Sequence, residues 1–370
     1  MLDADAVETD VMTFDVATAS IKGAREYQQD SLISNFALGQ TSGFAIVADG
    51  LGGHVGGHVA SALVTAEVFG HLKMKEDQLD AGTLNIPLAL REAAEAANTR
   101  VARQVREDDS LHGMGSTMLV PVIRADKLYW ISVGDSPLFL FRQGALRQLN
   151  QDHSMAPQID MMVKTGAMSP ETAKSHPDRN ALTSVISGEE IDKIDCPTSP
   201  IALQPEDIIV ASSDGLQFLS NSTIANTLMM SKDGRSVDIA NAFLDAIAEL
   251  DDPHQDNTAF VIIKLSVGSI ETDVTDADDL PVLAVADDMD FDDEDDPETD
   301  VGAGSALPVS GARRMKRAVA RAAAAAAQAE RLRAANSKSD EAASDSEEDT
   351  ADQPSERKAY WYRGQKYYKD

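Results

Sequence analysis

The chain is short of sulphur, of aromatics, of positive charge and of long apolar runs, and each shortage excludes something. One cysteine in 370 residues, Cys196, excludes an internal disulfide and a multi-cysteine zinc site. Aromatic residues make up only 5% of the chain, so its core must rest mainly on aliphatic side chains. Lys and Arg number 32 against 62 Asp and Glu, a net charge of -30, which argues against nonspecific attachment of the whole molecule to nucleic acid or to an anionic membrane. No apolar run approaches the roughly 20 residues of a membrane-spanning helix. The opening "MLDADAVETD" is acidic and lacks the apolar centre of a secretory signal. The expectation is a soluble, cytoplasmic chain.

What is present is unevenly spread, and charge marks the boundaries. Residues 269–300 carry fifteen acids and no Lys or Arg. Such a segment repels itself and cannot offset the entropy of ordering by burying apolar surface, so it reads as a linker. "ARRMKRAVARAAAAAAQAERLRAA" follows, rich in the strong helix formers Ala and Arg. The division expected is a flexible N-terminus (1–13), a folded domain (14–266), an acidic disordered linker (267–311), a basic Ala/Arg-rich helix (312–336) and an acidic disordered tail (337–370). That tail ends in "AYWYRGQKYYKD", which holds five of the eight Trp and Tyr in the chain.

Within the folded domain the rhythm is α+β. "DSLISNF" and "GFAIVADG" read as strands, and "VASALVTAEVFGHL" has apolar residues at helical spacing. "PLALREAAEAANTRVARQVRED" is a second helix with Pro87 in its first turn. "GSTMLVPVIRADKLYWISVGDSPLFLFRQGALRQL" reads as an antiparallel meander broken at "RADK", "GDSP" and "RQGA". Helical and irregular sequence spans 153–180; "DIIVASSDG" is a strand, helices cover 222–250, and a last strand follows Asp256. Helices packed outside antiparallel sheets are the expected arrangement.

Four aspartates sit at strand ends or in the turns after them: Asp30 in "QQDS", Asp49 in "VADG", Asp214 in "SSDG" and Asp256 in "HQDN". Asp135 occupies the meander turn "VGDSP". A lone Asp-Gly is most often a turn former. Carboxylates gathered at one sheet edge, however, repel one another unless a cation joins them, and hard oxygen ligands suit Mg²⁺ or Mn²⁺. Two such ions about 3.5–4 Å apart can hold a bridging hydroxide and clamp a phosphoryl group. Gly50 can offer its carbonyl to an ion, and Gly52 and Gly53 permit a tight turn into the next helix.

The ordered series "REYQQD", "VADGLGGHVGG", "GSTMLV", "VGDSPLFLFRQGALRQLNQDHS", "HPDRNALTSVIS", "ASSDGLQFLS" and "QDNTAFVII" resembles the bacterial branch of the metal-dependent serine/threonine protein phosphatases, the protein phosphatase 2C-like family, over residues 14–265. The resemblance implies a central β-sandwich of two antiparallel sheets flanked by helices, followed by a largely disordered C-terminal tail. It implies two Mn²⁺ or Mg²⁺ ions, with Asp49 bridging them, the Gly50 carbonyl on the second, Asp214 and Asp256 on the first and Asp30 beside the site. Asp135 matches the acid of a third, weaker metal. Arg25 matches the arginine that binds substrate phosphate, as its planar fork suits phosphate oxygens. Ser116 and Thr117 match a structural hydroxyl motif, and 153–185 a mobile flap beside the cleft. The reaction implied is direct hydrolysis of phosphoserine or phosphothreonine on proteins, opposing a Ser/Thr kinase.

Gln28 stands where the family has Asn, Pro137 where "GDS" is commonly followed by Arg, and Leu51 where eukaryotic members place a histidine acid. Rival readings are weaker. "HVGGH" has Val55 where a zinc hydrolase needs Glu, no GK[ST] ends a phosphate loop, and His153 and Cys196 read as structural. The alternative from another class is a phosphatase-like binding or scaffold module acting through its C-terminal tail, where a docking peptide is expected in the aromatic end. Membrane and nucleic acid are not expected partners.

Overall fold

The computed structural model describes residues 11–37, 40–53, 56–268, 359–362 and 365–368. The run "FAIVA" shows how the architecture arises. Phe44 to Ala48 are all fully buried, yet Phe44, Ile46 and Ala48 face one apolar cluster while Ala45 and Val47 face another. Successive side chains of a strand point to opposite faces, so a strand apolar on both faces must be covered on both.

The order is β1 (Val11–Ile21), β2 (Asp30–Asn35), β3 (Ser42–Leu51), α1 (Gly56–Lys73), α2 (Glu76–Ala81), α3 (Ile86–Glu107), β4 (Gly115–Ser116), β5 (Met118–Arg124), β6 (Lys127–Val133), β7 (Leu138–Arg142), β8 (Ala145–Gln148), α4 (Ala156–Lys164), α5 (Pro170–Lys174), β9 (Ile201–Ala202), β10 (Ile208–Ser212), α6 (Asn221–Ser231), α7 (Ser236–Leu250) and β11 (Thr258–Gly268). One sheet runs β1-β11-β10-β7-β8; the other runs β2-β3-β5-β6-β9 with β4 beside the end of β3. The pairings are antiparallel. Val47, Leu119 and Trp130 of the second sheet meet Leu140, Ile209 and Val261 of the first in the central core. Val64 and Val68 of α1 and Leu90 and Val101 of α3 cover the outer face of the second sheet. Ile224, Leu228 and Phe243 of α6 and α7 cover that of the first, where Phe243 meets Phe260 edge-on at 5.8 Å. The two-sheet sandwich flanked by helices is the fold expected from sequence. No described helix is long and apolar enough to cross a membrane.

The helix starts carry local signals. The Asn85 side chain accepts the Leu88 N–H at 3.2 Å, and Ser220 accepts that of Thr223 at 3.1 Å, each satisfying an orphan donor of a first turn.

Two features differ from the sequence reading. The outer ladder runs further than 14–266, because β1 starts at Val11 opposite Gly268, and main-chain pairing continues there without needing an apolar pattern. The segment 115–148 is not one meander. β5 and β6 form a hairpin in one sheet and β7 and β8 one in the other, so the chain changes sheets at Gly134–Pro137. Side chains from elsewhere satisfy that crossing. Asn150 accepts the Leu138 N–H at 2.8 Å and donates to the Ser136 carbonyl at 2.9 Å; Thr117 and Ser136 share a hydroxyl bond at 2.8 Å. The aromatic C-terminal end pairs as an antiparallel hairpin of β12 (Ala359–Tyr362) and β13 (Gln365–Tyr368), whose register sets Tyr360 opposite Tyr367. The acidic linker from 269, the Ala/Arg-rich helix and the acidic tail before that hairpin lie outside the described residues.

A buried ion pair pins β7 to the turn before β10. The Arg142 guanidinium spans both oxygens of the almost fully buried Asp207, at 2.8 and 2.6 Å, and the Gln204 N–H adds a third bond at 2.7 Å. Arg142→Met strands this carboxylate, and a loss of about 2 kcal/mol in urea unfolding is expected, less than for a fully enclosed pair because Arg142 is partly exposed.

Candidate active site

One end of the sandwich gathers the aspartates. β2 begins at Asp30 and pairs with the end of β3, with Asp30 directly opposite Asp49. β10 ends at Ser212, and a 3-10 turn starting at Asp214 follows. Asp256 precedes β11, which runs back beside β10, and Asp135 lies in the crossing between sheets. Like charges opposite each other across a ladder are destabilising, so the folding of these strands accumulates electrostatic repulsion.

A cleft of about 280 Å³ opens there, lined by Arg25, Asp49, Gly50, Asp135, Asp214 and Asp256 among others. Asp30 lies beneath it, buried; one carboxylate oxygen accepts the Ser213 hydroxyl at 2.7 Å, and the other has no hydrogen-bond partner. Burial pushes the Asp30 carboxyl up to about 7, with the Asp214 and Asp256 charges adding and the Ser213 bond opposing. Burial, then the charge of Asp30, holds Asp49 well above the ordinary carboxylate range. Burial, then Asp214, does the same for Asp135. Arg25 forms an ion pair with Asp256.

The clamps around these groups explain the hydroxyls and glycines. Asp49 is held at both ends of its backbone: its N–H donates to the Thr117 hydroxyl at 2.9 Å, and its carbonyl accepts the Ser116 hydroxyl at 3.0 Å. Gly50 is packed against the first turn of α1, and a methyl on it would overlap the Gly57 carbonyl and lie 2.7 Å from the Gln29 carbonyl oxygen. Gly215, in the second Asp-Gly pair, is crowded in the same way by the Asn257 carbonyl and the Thr258 hydroxyl. Gly53 has open space around it. The crowded glycines after Asp49 therefore let β3 and α1 approach closely.

Asn257 was not singled out from sequence, although it stands in the quoted "QDN". Its side chain accepts the Gln29 N–H at 2.8 Å and donates to the Lys22 and Tyr27 carbonyls at 2.8 and 3.0 Å. It thereby fastens the loop carrying Arg25 to the segment that carries Asp256 into β11. Gln28, in place of the family's Asn, accepts the Asp30 N–H at 3.0 Å and reaches the Ile21 carbonyl at 3.0 Å. His153 is buried and accepts the Gly134 N–H at 3.2 Å, backing the turn of Asp135; burial lowers its basicity. The turn is thus held although Pro137 replaces Arg. Cys196 is a buried thiol whose ionisation burial opposes. His54 lies outside the described residues.

Among the described residues no three carboxylates close on one point at ligand distance. Arg25 takes up one oxygen of Asp256, and Ser213 one of Asp30. The donor set nevertheless fits a hard divalent cation: carboxylate oxygens and a nearby glycine carbonyl, an unpartnered buried oxygen on Asp30, and mutual repulsion that a cation relieves.

One edge of a two-sheet sandwich thus brings strand-end aspartates and one arginine to a single cleft. Protein phosphatase 2C matches residues 23–250, and the chain belongs to that family. The serine/threonine protein phosphatase PstP of Mycobacterium tuberculosis is 32% identical over 267 residues, which are 70% of this chain and 46% of PstP, so the chain spans about half the length of that relative. The crystal structure of M. tuberculosis PstP/Ppp superposes with a TM-score of 0.57 at 27% identity, covering 69% of this chain and 99% of that one. A structure of the PstP catalytic domain in complex with two manganese ions shares the fold, with a TM-score of 0.54 at 24% identity over 69% of this chain and 99% of that one.

Proposed function

We propose that the chain is a metal-dependent serine/threonine protein phosphatase. The observation that carries this is the convergence of Asp30, Asp49, Asp135, Asp214 and Asp256, from both sheets, with Arg25 at one cleft. Asp49 with the Gly50 carbonyl, Asp214 and Asp256 are the groups that hold two Mn²⁺ or Mg²⁺ ions; Asp30 supports them from beneath, and Asp135 belongs to a third, weaker position. PstP, of the same family, has been seen with two manganese ions. When bound, such a pair supplies a hydroxide at neutral pH for in-line attack and neutralises phosphoryl charge.

The chain's own side chains do the rest. Arg25, released from Asp256, turns its fork to the nonbridging phosphate oxygens and orients phosphorus. Asn257 positions the Arg25 loop, and Ser116 and Thr117 hold Asp49. Substrates are phosphoserine or phosphothreonine proteins, and a Ser/Thr kinase is the opposing activity. The C-terminal hairpin serves as a docking element, and the site of action is the cytoplasm.

Hydrolysis of p-nitrophenyl phosphate by the full chain tests this. Turnover with Mn²⁺ or Mg²⁺, lost in EDTA, is expected. Arg25→Ala is expected to lower kcat/KM by about 10–100-fold with the metal requirement unchanged. Silence of the folded protein with every metal overturns the reading and favours a binding module.

A further inference from the structure

Four large apolar side chains line the cleft without belonging to any of the three apolar clusters of the fold: Leu51, Leu182, Val185 and Phe218. All four are half-buried. Their backbones are tied together around the aspartates. Leu51 is the last residue of β3 and pairs with Gly115 of β4; the next residue, Ser116, pairs with Ile186 beside Val185. Leu182 pairs with Ser154 at the foot of the segment bearing α4 and α5. Phe218 ends the 3-10 turn that begins at Asp214, so it enters from the other sheet. Apolar side chains held at both sides of an acidic floor, unused by the core, mark a contact surface for something else. The charge around them is one-sided, since Arg25 is the one Lys or Arg among the lining residues, against Asp49, Asp135, Asp214 and Asp256.

We propose that Leu51, Leu182, Val185 and Phe218 set substrate choice: an apolar side chain adjacent to the phosphoresidue seats against them, whereas a charged one loses hydration there without gaining a partner. This rests on the phosphatase reading above. Leu51 then has a use of its own, as a specificity residue at the position where eukaryotic members have a histidine. Discrimination of this kind is modest for a half-open apolar surface, about tenfold for one side chain.

The test uses the full chain with Mn²⁺ and phosphothreonine peptides that carry Leu, Ala or Glu on both sides of the phosphoresidue in an otherwise identical sequence. The expected order of kcat/KM is Leu, then Ala, then Glu, with about tenfold between the first and last. Leu182→Ser and Val185→Ser are expected to lower kcat/KM for the Leu peptide toward that for Ala, while p-nitrophenyl phosphate turnover stays within about twofold. Equal rates on the three peptides overturn the proposal and leave the phosphatase reading intact, as does a fall in p-nitrophenyl phosphate turnover matching the peptide loss, which marks a merely structural role. Failure of the unaltered chain to hydrolyse any of these esters overturns both.

Discussion

Asp49→Asn is expected to reduce phosphatase turnover by roughly 10³-fold or more, because it removes the charge that the proposed function assigns to both cations. The fold is expected to survive. Asp49 sits opposite Asp30, and its backbone is clamped by Thr117 and Ser116, contacts that an isosteric amide leaves alone. The stability change carries its own sign. Burial and the neighbouring carboxylates raise the Asp49 pKa above its value in the unfolded chain. The stability this group contributes is therefore full below the ordinary carboxylate range and is lost as pH rises toward the raised folded value. Near neutral pH in EDTA, the neutral amide escapes that penalty, so the variant is expected to melt at or above the parent. Mn²⁺ is expected to raise the melting temperature of the parent and to have much less effect on the variant. A variant that stays active, or that responds to Mn²⁺ as the parent does, contradicts the assignment of Asp49.

Gly50→Ala is expected to cost about 3 kcal/mol, and Gly53→Ala less than about 0.5 kcal/mol. The two substitutions are the same chemistry three residues apart in the same glycine-rich run. At Gly50 the new methyl meets the Gly57 and Gln29 carbonyls. These are main-chain atoms of α1 and of the loop before β2, with no side-chain torsion to rotate out of the way. Relief requires α1 to move off β3, away from the packing of Val64 and Val68. At Gly53 no heavy atom lies within 4 Å of the new methyl. For a domain of this size the difference corresponds to roughly 6–12 °C in melting temperature, measured by calorimetry on the full chain. Gly50→Ala is also expected to lower turnover, since Asp49 is its neighbour. Equal melting temperatures for the two variants contradict the close approach of β3 and α1.

Much of this was legible in the sequence because it is encoded locally. Apolar residues at helical spacing marked α1 and α3, Pro87 marked a first turn, and the Asp-Gly pairs are read within a few residues. The long ladder of β1 escaped because "VMTFDVATASI" mixes Thr, Asp and Ser into both faces, and its pairing with β11 is main-chain. The change of sheets at Gly134–Pro137 escaped because periodicity tells which face of a strand is buried but not which neighbour covers it. The bonds from Asn150 and Thr117 that satisfy the crossing come from other segments.

The sequence alone, then, determined the order of most elements and marked the aspartates at strand ends and turns, since those follow from residue type and short spacing. Only the tertiary structure decided that Asn257 fastens the Arg25 loop, that Gly50 and Gly57 must both be small, that Arg25 lies on Asp256, and that four large apolar side chains are left over around the cleft. Each of these depends on segments separated along the chain and brought together by antiparallel pairing. The physical reason is that contact distance is set by ladder register and by which faces the helices cover, and neither is a property of any short stretch of sequence.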